Sequence, residues 1–181
     1  MHKTLLFAFL ALATPAVATG AECSLKTVAQ CDDTGALAGA KGFEKAVDRF
    51  AGKQKVRWLG TRMTLSDVVQ EVIGMPADDG RKEVAPGLYR FAGSRPHSAM
   101  ERGAVFVAGD GTVKAAGVLN FDCTKSCGKT YVLAVIVQKP DPALETAVRA
   151  WADEQMRQNA DAGYGKGDST IGRTDLVVTG K

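Results

Sequence analysis

Histidine is nearly absent from this 181-residue chain, which has His2 and His97 only, and aromatic residues make up just 7% of it. With His2 set aside as part of an N-terminal address, a multi-histidine metal site and a relay of two imidazoles are both excluded. A serine or cysteine triad would have only His97 as its base. No Gly-x-Ser-x-Gly elbow presents a serine. Gly163-Tyr164-Gly165-Lys166-Gly167 lacks the spacing of a phosphate loop and follows a helical segment instead of a strand, so it reads as a flexible connection. An excess of one charge is also missing. The 23 bases and 20 acids leave a net +3 with no concentrated basic face, which argues against a nucleic-acid partner. Acidic pairs such as Asp78-Asp79 read as solvated turn residues. The expectation is a protein that is not an enzyme and carries no cofactor and no metal.

What is present describes a globular chain. With 45% hydrophobic and 24% charged residues it is too apolar for disorder, and its length suits a single domain with a sizeable core. Met1-His2-Lys3 followed by the apolar run Leu5–Leu12 and by Ala16-Val17-Ala18 has the pattern of a signal peptide over residues 1–18, with cleavage after Ala21 as the alternative. Thr14-Pro15 interrupts the run well short of the ~20 residues of a membrane span. Glu22 ahead of Cys23 departs from the small residue that lipidation needs, so no stable membrane anchor is expected. The remaining single domain, 19–181, is expected to be exported.

Export changes the reading of the four cysteines, Cys23, Cys31, Cys123 and Cys127. An even number in an oxidising compartment points to disulfides, and local pairs Cys23–Cys31 and Cys123–Cys127 are favoured because each lies in its own polar loop. Zinc is the competing reading, and the spacings are not those of a zinc ribbon.

Periodicity then organises the chain. Phe43, Ala46, Val47 and Phe50 recur at helical spacing ahead of Gly52. Residues 64–74 are ambiguous: Leu65, Val68, Val69, Val72 and Ile73 fit a helical stripe behind a Thr64 cap, while the β-branched content fits a strand. Met75–Gly87, rich in Pro, Gly and Asp, reads as a loop. Strands are expected at Leu88–Ala92, Ala104–Ala108 and Thr112–Phe121, with a hairpin turn at Gly109-Asp110-Gly111. Tyr131–Val137 reads as the central buried strand. Asp141-Pro142 opens a helix with Leu144, Ala147, Val148 and Trp151 facing inward. Pairs Glu145/Arg149 and Asp153/Arg157 decorate its outside. Residues 163–181 are expected to be flexible, with an edge strand at Leu176–Thr179. The sum is an α+β fold: an antiparallel sheet with helices packed on one face.

Between two of these strands lies Gly93-Ser94-Arg95-Pro96-His97-Ser98-Ala99. Pro96 fixes its own φ and restricts Arg95, so the connection is stiff and displays an imidazole and a guanidinium. The plain alternative is a solvated polar turn. The stretch Tyr89–Leu119 resembles the central part of the Ivy family, periplasmic inhibitors of vertebrate (c-type) lysozyme, whose strand–loop–strand carries a protruding Cys-Lys-Pro-His-Asp-Cys loop. Arg95 matches its basic residue, and Pro96 and His97 match outright. Phe43–Phe50 followed by Trp58 is similar to the family's N-terminal helix and nearby tryptophan. Ser94 and Ala99 stand where the family has cysteines.

The resemblance implies a periplasmic protein whose partner is a peptidoglycan hydrolase of the lysozyme type, bound through Ser94, Arg95, Pro96, His97 and Ser98. Such muramidases work between two carboxyl groups in a deep cleft, and an imidazole on a stiff loop is suited to hydrogen-bond both. Arg95 would add a charged contact at the rim. An immunity protein that neutralises a secreted cell-wall effector, such as an amidase, through the Cys123–Cys127 loop is the alternative. An exported binding domain without a hydrolase target also stays open.

Overall fold

The computed structural model describes residues 22–123 and 127–180. The expected signal peptide and residues 124–126 of the disulfide loop lie outside them. Both expected disulfides are present, Cys23–Cys31 and Cys123–Cys127. The first ties the N-terminal segment to Cys31, which is fully buried in the core.

Two short helices follow, α1 (Thr34–Gly39) and α2 (Phe43–Ala51). Asp33 caps α1 by accepting the Ala36 N–H at 2.8 Å. α2 buries Phe43, Ala46, Val47 and Phe50, the stripe its spacing predicts, and stops at Gly52 with φ 68°. The hairpin β1 (Lys55–Trp58) and β2 (Thr61–Thr64) turns through Leu59 (φ 45°) and Gly60 (φ 83°). Positive φ at both central residues is the type I′ arrangement, in which leucine is an unusual occupant.

Residues 65–71 form helix α3 (Leu65–Glu71), settling the ambiguity of that stretch. A capping box decides it. The Thr64 hydroxyl accepts the Asp67 N–H at 3.0 Å while the Asp67 carboxylate accepts the Thr64 N–H at 3.2 Å. Val68 and Val69 then point into the core with Leu65.

The remaining strands are β3 (Met75–Ala85), β4 (Leu88–Ser94), β5 (Arg102–Ala108), β6 (Val113–Phe121), β7 (Tyr131–Val137) and β8 (Ile171–Val178). They form one six-stranded sheet in chain order. The α+β class holds, with three corrections. The expected loop Met75–Gly87 is edge strand β3 as far as Ala85, and an irregularity between Pro76 and Arg81 absorbs its Pro and Gly. β8 begins at Ile171 and pairs parallel to β7, which is therefore interior but not central. The long helix α4 (Pro142–Asp161) makes the crossover that a parallel pair requires.

The third correction concerns the faces. The helices cover both sides of the sheet. Phe91, Val105, Val107, Ala116, Val118 and Ile136 meet α1–α3, while Ala104, Phe106, Ala115, Leu119, Leu133 and Val135 meet α4. Unbroken apolar strands such as β7 are what two covered faces require. α4 starts as expected, with Asp141 accepting the N–H groups of Ala143 (3.1 Å) and Leu144 (3.2 Å). Glu145 accepts the Asp141 N–H at 3.3 Å, so it serves the cap. Trp151 packs against Gly117, where a Cβ would come within 2.7 Å of its ring.

Candidate functional site

β4 leaves the sheet at Ser94 and β5 returns opposite it at Arg102. The connection between them is a compact turn. The Arg95 N–H donates to the Glu101 carbonyl at 2.9 Å, and the Ser98 N–H to the Arg95 carbonyl at 3.1 Å. Pro96 and His97 are thus the central residues of a four-residue turn. Proline second and positive φ third make it type II, and His97 (φ 63°) holds the place usually taken by Gly or Asn. Both side chains are exposed, whereas Ser94, Arg95 and Ser98 are half-buried.

Arg95 is not displayed at the tip. Its Nε lies 3.1 Å from Glu101 Oε2 and its Nη1 3.5 Å from Glu71 Oε1, so the guanidinium runs back to the end of α3. The Pro96 ring fills the notch at Gly74, where an added Cβ would lie 3.0 Å from it. Arg102 anchors the other side, with Nε on the Ala99 carbonyl at 3.0 Å and Nη1 on Gln155 of α4 at 3.1 Å. The Ser98 hydroxyl accepts the Met100 N–H at 3.3 Å. Ion pairs and a proline seat therefore brace the loop where the resemblance would place a disulfide. At the apex stands the exposed imidazole, which makes no hydrogen bond or ion pair among the described residues.

Glu71, Gly74 and Glu101 were not among the residues expected here. Glu101 carries the only local signal, an acid six residues beyond Arg95 across a turn of suitable length. Met100 and Tyr164 were also missed. They are 36% and 52% exposed and border one small cavity beside the turn.

The second candidate loop sits at the same end of the sheet. β6 ends at Phe121 opposite Tyr131 at the start of β7, and their rings lie 4.3 Å apart. Cys123 and Cys127 close the connection, and the Gly128 N–H donates to the Asp122 carbonyl at 2.8 Å. Because β4 to β7 are consecutive neighbours, the two loops are separated by two strand spacings, about 10 Å. The sequence offered them as rivals, and the topology brings the strand ends that carry both to one end of the sheet.

Among the described residues, no cluster of three or more His, Cys, Asp or Glu is placed to hold a metal ion. No helix there is long and apolar enough to cross a membrane. Fold and site together define a disulfide-bonded α+β protein with two braced loops at one end of its sheet. No family model, curated protein or solved structure matches the chain.

Proposed function

We propose that the chain is an exported periplasmic inhibitor of a peptidoglycan hydrolase of the muramidase type, with no catalysis of its own, and that the Arg95-Pro96-His97 turn enters the enzyme's cleft. The observation that carries this reading is the exposed imidazole of His97 at the apex of a type II turn whose flanks are fixed by Arg95, Glu71, Glu101 and Gly74. A muramidase cleft opposes two carboxyl groups, one of them kept protonated by its apolar setting. A neutral imidazole accepts from the protonated one through one ring nitrogen and donates the N–H of the other to the ionised one. A loop already ordered before binding avoids much of the entropy cost of fixing it. Arg95 acts by bracing the turn, and Met100 with Tyr164 supplies an apolar flank.

The disulfide-closed loop at the same end favours a second reading, in which the chain is an immunity protein whose Cys123–Cys127 loop grips a secreted amidase-type effector. An inhibition assay against a panel of muramidases and amidases separates the two. His97→Ala weakens muramidase inhibition by roughly tenfold or more, as loss of a buried anchor does, while Lys125→Ala changes it little. The reverse ranking, on an amidase, sinks the muramidase reading in favour of the immunity one.

A further inference from the structure

A groove runs along the sheet on the α1–α3 side, between the β1–β2 hairpin and the face of β6, β7 and β8. Its volume is about 250 Å³, its floor is Val118, Val132, Ala134, Ile136 and Val177, and Trp58 closes one side. That is below the ~300–1,000 Å³ of most small-molecule sites, and it extends along a strand.

The hairpin beside it is a two-stranded sheet of its own, so β1 has an open edge there. Register fixes which groups that edge offers. Trp58 faces Thr61 across the two-residue turn, and such a closing pair exchanges both backbone hydrogen bonds. Pairs alternate, so Val56 and Trp58 bond to β2, while Lys55 and Arg57 turn their N–H and C=O away from it, toward the groove. Residues Val56–Gly60 of β1 and its turn line the groove, and none of β2 does.

The outer face of the hairpin is cationic. Lys55, Arg57 and Arg62 are all exposed, and Arg57 stands directly opposite Arg62, a like-charge pairing that disfavours the hairpin. Lys55 shares its field with Asp67. Neither arginine is in an ion pair among the described residues. Asp122 and Asp175 also line the groove, but both are ion-paired to Arg173, so the unpaired strand edge, the apolar floor and the Arg57 and Arg62 cations call for one kind of occupant.

We propose that the groove receives an extended segment of a partner protein as a strand added to β1, with apolar side chains alternating with acidic ones. The partner's main chain pairs with Lys55 and Arg57, its apolar side chains enter the trough over Ala134 and Val177, and its carboxylates meet Arg57 and Arg62. Strand addition takes its affinity from the main chain and its selectivity from alternate side chains. No residue of the His97 turn lines the groove, and its test does not depend on hydrolase inhibition.

The test is calorimetric titration of the disulfide-bonded chain with a blocked synthetic peptide of about six residues alternating Val and Glu, the length of an ordinary strand. Saturable one-to-one binding is expected. It falls roughly tenfold or more when Lys replaces Glu in the peptide, when alternate peptide nitrogens are methylated, and in the chain variants R57E/R62E and A134F. The peptide changes need no altered protein, so a variant that misfolds leaves the test intact. Absence of binding at millimolar peptide overturns the proposal, as does binding that survives N-methylation. Binding of octanoate without binding of the peptide overturns it too and marks the groove as a small-acid site.

Discussion

His97 carries a conformational cost that its neighbours sustain. An L-residue in the left-handed region loses roughly 1–2 kcal/mol relative to its preferred conformations, and glycine avoids this at some entropic expense. His97→Gly is therefore expected to leave stability within about 1 kcal/mol of the parent, whereas His97→Val, β-branched at φ 63°, destabilises by about 1–2 kcal/mol. Urea melts of the two variants check this, and equal losses in both would contradict the turn geometry. Arg90 is the other residue under constraint. Its side chain is 2% exposed and ion-paired to Asp79 and Glu154. Arg90→Ala should cost toward the lower end of ~3–5 kcal/mol, because the abandoned carboxylates are 34% and 27% exposed and reach water. Burial alone would raise the pKa of Glu154, but hydrogen bonds and charges from Arg90 and Lys82 outweigh it and hold the group below its ordinary 4.5. A depressed folded-state pKa gives stability that is present above the ordinary value and lost as pH falls through the folded one. Acid unfolding below about pH 4.5 is thus expected to be shallower in Arg90→Ala, as fluorescence melts across pH 2–5 will show.

At the scale of elements, what the sequence disclosed depended on whether the deciding interaction was local. The Asp110-Gly111 hairpin and the Asp141-Pro142 helix start are local chemistry, and both stand where the residues put them. α3 was ambiguous because Val68, Val69, Val72 and Ile73 suit either period. The reciprocal cap between Thr64 and Asp67 decided it, and that motif was only half recognised. Thr64→Ala should cost about 1 kcal/mol in a thermal melt, and no loss would show that packing alone holds the helix. Asp67 is held below its ordinary pKa by the Thr64 side-chain and backbone hydrogen bonds and the charge of Lys55, against desolvation. β3 was missed because its support is not local. The Arg81 N–H donates to the Asp32 carbonyl at 2.7 Å, and Pro76 is tolerated because β3 lies at the sheet edge. The edge strand expected at Leu176–Thr179 is present as the longer β8, but its parallel pairing was out of reach, since only the packing of α4 on β6 and β7 shows that the chain crosses over the sheet before pairing.

For the whole molecule, the covered faces and the loop end are the two features that matter. β7 and β5 are apolar at nearly every position, the pattern that helices on both sides require. Gly117 shows how closely α4 lies: Gly117→Ala would drive a Cβ into Trp151 and Val148 and should destabilise by about 1–3 kcal/mol. A rigid sheet clamped on both faces gives the β4–β5 and β6–β7 connections a fixed separation. In the sequence those loops lie far apart and read only as competing tips, and of the ion pairs that brace Arg95 only Glu101 leaves a local signal, while the distant Glu71 leaves none. In the proposed function the His97 turn occupies a hydrolase cleft. Competition tests it most directly: a muramidase is titrated with the chain at increasing concentrations of a cleft-binding oligosaccharide. Apparent affinity is expected to fall in proportion to oligosaccharide occupancy, and His97→Gly, though folded, to bind roughly tenfold more weakly or worse. Binding indifferent to the oligosaccharide, or unchanged in His97→Gly, would contradict it.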